Sequence, residues 1–382
     1  MGPLLLVDKS FIQCLSEEEM DFLNRHYLAI IAPILIQEIC ANLLKYPDNK
    51  NLSKIKVSKL AKRAKGLDAH IIGRAKSICT ASLLGERIEL KPCIPIGGGR
   101  EVTAPDGNKG VVFEESIERK TLSRWARLEF KDQDLKLAEE HIKAASYDLG
   151  ASGKEMADEF PRNSVYRSLK ELSASIDYNL AEYAHQDEII ESCMTVLRLP
   201  EPARILIRTR WVEVGKPHFK AFAEYAYYYH RLGSVFWIGV TSGLIPSSKK
   251  AKALCDVQYL NYLPFAHAFC TNDRFQHELS QHFLRENQEF IWGEDLKKDL
   301  GTIASCYRHM TGEDRKYYAL HYGHYPPPII GSITYRLWQK FMRPWSPRSG
   351  NIVSVMSDEK KRELIEKVNG IMDAYDQQTN KG

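Results

Sequence analysis

Two short apolar runs, far apart in the chain, each lead into an aspartate, and together they restrict the folds open to this sequence. Leu4-Leu5-Leu6-Val7 stops at Asp8, and Ala266-His267-Ala268-Phe269-Cys270 passes through Thr271-Asn272 into Asp273. A short continuous apolar run, rather than an alternating one, marks a strand buried on both faces, as in a parallel sheet covered by helices. Such sheets gather ligands outside the carboxyl ends of their strands, where both aspartates would lie. The flanking segments read as helices. Ser16 with Glu19 forms a capping box. Pro33 opens a helix carrying Ile34, Leu35, Glu38, Ile39 and Asn42. Asp256, Tyr259, Leu260 and Leu263 fit a helix broken at Pro264. The expected fold class is α/β.

Composition supports a folded chain with its own core. Of 382 residues, 44% are apolar and 27% charged, which excludes disordered, collagenous and coiled-coil classes. The net charge of +4 is too small to announce a nucleic-acid partner by itself, so the distribution of charge has to decide. Tyr27 to Ile36 contains Pro33, and Leu232 to Ile245 is broken by Gly and Ser, so neither reaches the roughly 18 apolar residues of a membrane helix. With no basic lead before Leu4, the expectation is a cytoplasmic protein with no membrane partner. Cysteines 14, 40, 79, 93, 193, 255, 270 and 306 are dispersed, with no C-x-x-C pair, and read as reduced packing residues.

Between the two aspartates the chain changes character several times. Lys54 to Lys65 holds six basic residues and no acid, a solvated helix face or, less economically, a phosphate-binding one. Residues 91 to 115 contain Gly97-Gly98-Gly99 and a β-hairpin pattern turning at Asp106-Gly107. Residues 117 to 150 and 163 to 198 read as helical, as do parts of 283 to 382. Pro246-Ser247-Ser248 marks a turn. Gly150 to Glu155 fails the Walker pattern, and His277 and His282, five residues apart, do not share a helix face as zinc ligands must.

Asp8 and Asp273 at strand ends, with Glu38 and Asp256 on flanking helices, make a four-carboxylate set. Were the four to converge, their repulsion would call for a divalent cation, and oxygen donors select Mg2+ or Mn2+. Such an ion suits phosphodiester hydrolysis, because it orients and acidifies a water without any side-chain nucleophile.

On these residues the sequence resembles the PIN-domain nucleases. The resemblance is carried by Leu4-Leu5-Leu6-Val7-Asp8-Lys9-Ser10, by Ala32 to Ile39 with Glu38, and by Asp256-Val257-Gln258-Tyr259 through Phe269-Cys270-Thr271-Asn272-Asp273-Arg274-Phe275. It implies a PIN-like parallel-sheet core, a Mg2+- or Mn2+-dependent endonuclease activity directed most often at RNA, and Asp8, Glu38, Asp256 and Asp273 as catalytic metal ligands. Ser10, Thr271 and Asn272 would support those carboxylates. The separation of Glu38 from Asp256 departs from a compact domain of this kind. The expected organisation is therefore core residues 1–45, a mostly helical inserted lobe with a small hairpin at 46–215, core residues 216–285 and a helical C-terminal extension at 286–382.

Candidate nucleic-acid contacts are Lys56, Lys59, Lys62 and Arg63 on the basic helix, and Arg336, Lys340 and Arg343 among the aromatics of the tail. The alternative for the tail is ordinary packing with snorkelling cations. Arg204, Arg208, Arg210 and Trp211 form a further basic patch, and Lys316 to Tyr325 an aromatic one. The expected function is hydrolysis of RNA or single-stranded nucleic acid. The rivals are a DNA-directed nuclease with the same site and a non-catalytic PIN-like binding or assembly protein. The insertion and tail are left to set substrate choice, or to engage a regulatory protein or a second copy of the chain.

Overall fold

The computed structural model describes residues 2–67, 70–95, 99–113, 115–146, 166–245, 250–343 and 358–379. Gly97-Gly98, Gly150 to Glu155 and Pro246 to Ser248, singled out above, lie outside these residues.

Both acid-terminated runs are strands. β1 (Leu4–Val7) and β6 (Ala268–Thr271) are buried along their whole length and pair in parallel, Leu5 with Ala268, Leu6 with Phe269 and Val7 with Cys270. On the other side of β1 lies β2 (Leu28–Ile31), again parallel, followed by the two-residue β3 (His70–Ile71). β7 (Glu289–Trp292) pairs in parallel with β6 and closes the order β3-β2-β1-β6-β7. Parallel neighbours need crossovers, and helices supply them. α1 (Lys9–Cys14) and α2 (Glu17–His26) join β1 to β2, and α3 (Pro33–Ala41) and α4 (Lys50–Gly66) lead from β2 to β3. The predicted capping box is present, with Ser16 accepting from the Glu19 amide and Glu19 accepting from the Ser16 amide at 2.6 Å. Because β1 has β2 on one side and β6 on the other, the chain reverses its order between β1 and β6. The carboxyl ends of that pair form the crevice of the sheet.

β3 falls within 46–215 and β7 within 286–382, so both segments contribute strands to the one parallel sheet. The 46–215 segment also shares the sheet's core. Val57 and Leu60 of α4, Leu122 and Trp125 of helix Ile117–Ala126, and Ile176 of helix Leu169–Ala181 belong to one buried cluster with Leu5, Ile30 and Phe269. The physical reason is that β2 would otherwise leave an open edge and an apolar face uncovered. The hairpin is found where expected, β4 (Arg100–Thr103) antiparallel to β5 (Lys109–Val112), with Gly107 at φ +83° in the turn. All eight cysteines are free. No helix among the described residues is long and apolar enough to cross a membrane.

Candidate active site at the carboxyl edge of the sheet

Asp8 leaves the end of β1 and serves as N-cap of α1. Its Oδ1 accepts from the Phe11 amide at 2.9 Å and the Ser10 hydroxyl at 3.0 Å, and its Oδ2 accepts from the Thr271 hydroxyl at 2.9 Å. Thr271 is the residue of β6 that follows Cys270, the register partner of Val7, so the ladder itself sets this contact. The Asp273 amide donates to the Thr271 hydroxyl oxygen, and the Asn272 amide to that of Ser10. Ser10 and Thr271 thus both donate to Asp8, and the Asn272 amide braces Ser10 in turn. The Asn272 side chain turns elsewhere: its Oδ1 accepts from the Glu294 amide at 2.8 Å, capping the first turn of helix Gly293–His309. That cap requires a glycine, since a Cβ on Gly293 would stand 2.8 Å from Asn272 Oδ1.

Asp273 is likewise an N-cap, of helix Arg274–Ser280, accepting from the Phe275 and Gln276 amides. Its second oxygen receives the ammonium of Lys252. Glu38 projects from α3 and accepts from the hydroxyl of Tyr259, which lies one turn beyond Asp256 on helix Lys250–Leu260. Lys9 donates to the Glu38 carbonyl at 3.0 Å. Asp256 is 5% exposed and accepts from Gln276 Nε2 at 3.3 Å. The oxygen of that amide, Gln276 Oε1, is buried without a hydrogen-bond partner.

The electrostatics join the four acids. Burial pushes the Asp8 carboxyl above its ordinary value, against the pull of the Phe11, Ser10 and Thr271 donors. Burial also raises Glu38, with the Asp8 charge adding to the effect and the Tyr259 hydroxyl and Lys9 opposing it. Asp256 is pushed up to about 8 by burial first, then by the charge of Asp273, with Glu38 and Asp8 contributing. Burial works in the same direction on Asp273 but is outweighed by the Lys252 ammonium and the Gln276 and Phe275 amides, which hold it below the usual range. Lys252 is itself raised, since Asp273, Asp256 and Glu38 outweigh its partial burial.

An all-oxygen donor set under mutual repulsion, beside an orphaned amide oxygen, fits Mg2+ or Mn2+ in chemical kind. The disposition is less complete. Among the described residues no three His, Cys, Asp or Glu side chains are grouped so that they could hold a metal ion. Two lysines already supply positive charge there.

The basic candidates are mostly committed elsewhere. Arg63 donates to the Ile12 and Gln13 carbonyls at 3.3 and 2.7 Å, closing the end of α1. Arg336 and Lys340 both pair with Glu289, and Lys56 lies 4.1 Å from the Tyr46 ring centroid. Lys59, Lys62 and Arg343 are exposed. Arg204 and Arg208 pair with Glu191, and Arg210 covers Phe222. Sequence reasoning gave no role to Lys9, Lys252, Tyr259 or Gln276. Tyr259 and Gln276 each lie three residues beyond a named acid on the same helix, a spacing that places side chains together.

No protein-family model, curated protein or solved structure matches the chain.

Proposed function

We propose that this chain is a PIN-like, Mg2+- or Mn2+-dependent nuclease that hydrolyses phosphodiester bonds of RNA or single-stranded nucleic acid. One observation carries the reading. Carboxylates from four separate segments act on one another at the crevice of a parallel sheet, and the burial and crowding there push Asp256 up to about 8. Folding tolerates such an arrangement chiefly where function requires it. Asp8, Glu38, Asp256 and Asp273 would hold the ion, which when bound acidifies a water and offsets charge on the phosphate. Ser10 and Thr271 fix the direction of the Asp8 oxygens, and Tyr259 fixes Glu38. Lys9 and Lys252 bring positive charge to the same place for the phosphate oxygens.

A second reading has its own support. The Lys252 pairing of Asp273 and the lack of a group of three ready ligands among the described residues favour a PIN-like binding or assembly module without chemistry. A DNA-directed nuclease would share the site and differ in substrate. The test is cleavage of end-labelled single-stranded RNA, single-stranded DNA and duplex DNA by wild type, Asp8→Asn and Asp273→Asn in Mg2+, Mn2+ and EDTA. Cleavage that EDTA and both substitutions abolish is the expected result, and the cleaved strand names the substrate. Intact strands under every condition would leave the binding module in place.

A further inference from the structure

The outer edge of the sheet carries a feature that the acid site does not use. Phe290 and Trp292 alternate along β7 and so face the same side of the sheet. His277, from helix Arg274–Ser280, lies against both, with ring centroids 4.4 Å from Phe290 and 4.7 Å from Trp292. The Phe290 and Trp292 centroids are 5.0 Å apart. All three rings are half-buried, and they line an open cleft of about 620 Å3 rimmed by polar side chains including Gln281 and Glu286. Two of its lining residues connect to the acid site, one through the sheet ladder and one along a helix. Trp292 is the register partner of Thr271, whose hydroxyl holds Asp8, and His277 follows Asp273 by one helical turn, a rise of about 6 Å.

A polyanion approaching this crevice meets four carboxylates, and the nearby Arg336 and Lys340 are already neutralised by Glu289. Lys9 and Lys252 stand among the acids and Arg285 lines the cleft, so the strand meets cations as well as carboxylates, and a ring platform adds an attraction that phosphate repulsion does not cancel. Every nucleobase has a flat face suited to it. We propose that the cleft lined by His277, Phe290 and Trp292 is a stacking subsite for an unpaired base of a single-stranded nucleic acid. The proposal rests on the nuclease reading for its choice of ligand.

The test compares binding of a labelled 12-residue oligouridylate and an abasic strand of equal length to the full chain, by fluorescence anisotropy in EDTA. Wild type should bind the base-bearing strand about tenfold more tightly. Trp292→Leu and His277→Ala should each erase most of that preference. His277→Ala leaves β7 untouched, so it carries the test if Trp292→Leu fails to fold. Equal affinity of wild type for the two strands, a preference that survives both substitutions, or no binding of either strand would overturn the subsite. The cleavage assay separates the two ideas. A base preference without cleavage leaves the subsite standing and removes the nuclease, whereas Asp8-dependent cleavage without base preference removes the subsite alone.

Discussion

Replacing Asp256 by Asn should make the protein more stable, by an amount that grows with pH. In the fold the Asp256 carboxyl is pushed up to about 8 by burial and by the Asp273, Glu38 and Asp8 charges, whereas in the unfolded chain it returns to about 3.9. The folded value is the higher one, so below pH 4 both states hold the proton and the residue costs nothing. As the pH rises from about 4 to about 8, the unfolded state loses its proton and the folded state keeps it. Wild-type stability then falls by about 1.4 kcal/mol per pH unit. Asparagine has no such proton and can still accept from Gln276 Nε2 through its own side-chain oxygen. The expected gain is about 1.5 kcal/mol at pH 5 and about 4 kcal/mol at pH 7. Urea unfolding followed by circular dichroism at pH 4, 5, 6 and 7 measures it, and a parallel series in 10 mM Mg2+ should shrink the difference by stabilising wild type. A gain independent of pH, or a substitution that destabilises throughout, would refute the account of a crowded, desolvated carboxyl.

Three further substitutions probe neighbouring parts of the site. Lys252→Met removes the ammonium from Asp273 and should raise Mn2+ affinity about tenfold in a calorimetric titration; an unchanged affinity would mean that Lys252 does not compete for the acids. Gly293→Ala forces a Cβ to 2.8 Å from Asn272 Oδ1 and 2.9 Å from Phe11, and should cost about 2 kcal/mol through the lost cap, read as a lower melting temperature. Arg63→Ala should cost about 1 to 2 kcal/mol by leaving the Ile12 and Gln13 carbonyls without their donor, while oligonucleotide affinity changes little. A large loss of affinity with unaltered melting would return Arg63 to the phosphate-binding set.

The parts of this fold that were legible in the sequence are those with a local signal. β1 and β6 stand out as apolar runs closed by polar residues, the capping box at Ser16 is a four-residue pattern, and the hairpin turns on Asp106-Gly107. β2 was hidden because Leu28–Ile31 runs through Ala32-Pro33 into the apolar start of α3, and periodicity cannot divide one apolar stretch into a strand and a helix. β3 is too short to leave a pattern, and β7 mixes Glu289 with aromatic residues as an edge strand can. At the site, the positions of Asp8 and Thr271 follow from strand ends. The cap that Asn272 gives to Glu294, 22 residues on, and the reach of Lys252 to Asp273 depend on how separate segments meet, and no local spacing encodes that.

The Thr271 to Asp8 hydrogen bond spans 263 positions of the chain, and the β1 to β6 ladder beneath it spans as many. A pairing that distant is expensive in chain entropy and forms late, because the loop between the strands must be drawn in before the contact returns anything. Along a growing chain, β1 and β2 can associate early, yet β1 keeps one flank unpaired until residues 268–271 have been made. Over that interval Asp8 and Glu38 lack the Thr271 tie and the Asp273 charge that crowds Asp256. The acid site is thus a product of the last long-range closure, and an incompletely synthesised chain would expose a sticky strand edge beside two unaccompanied carboxylates.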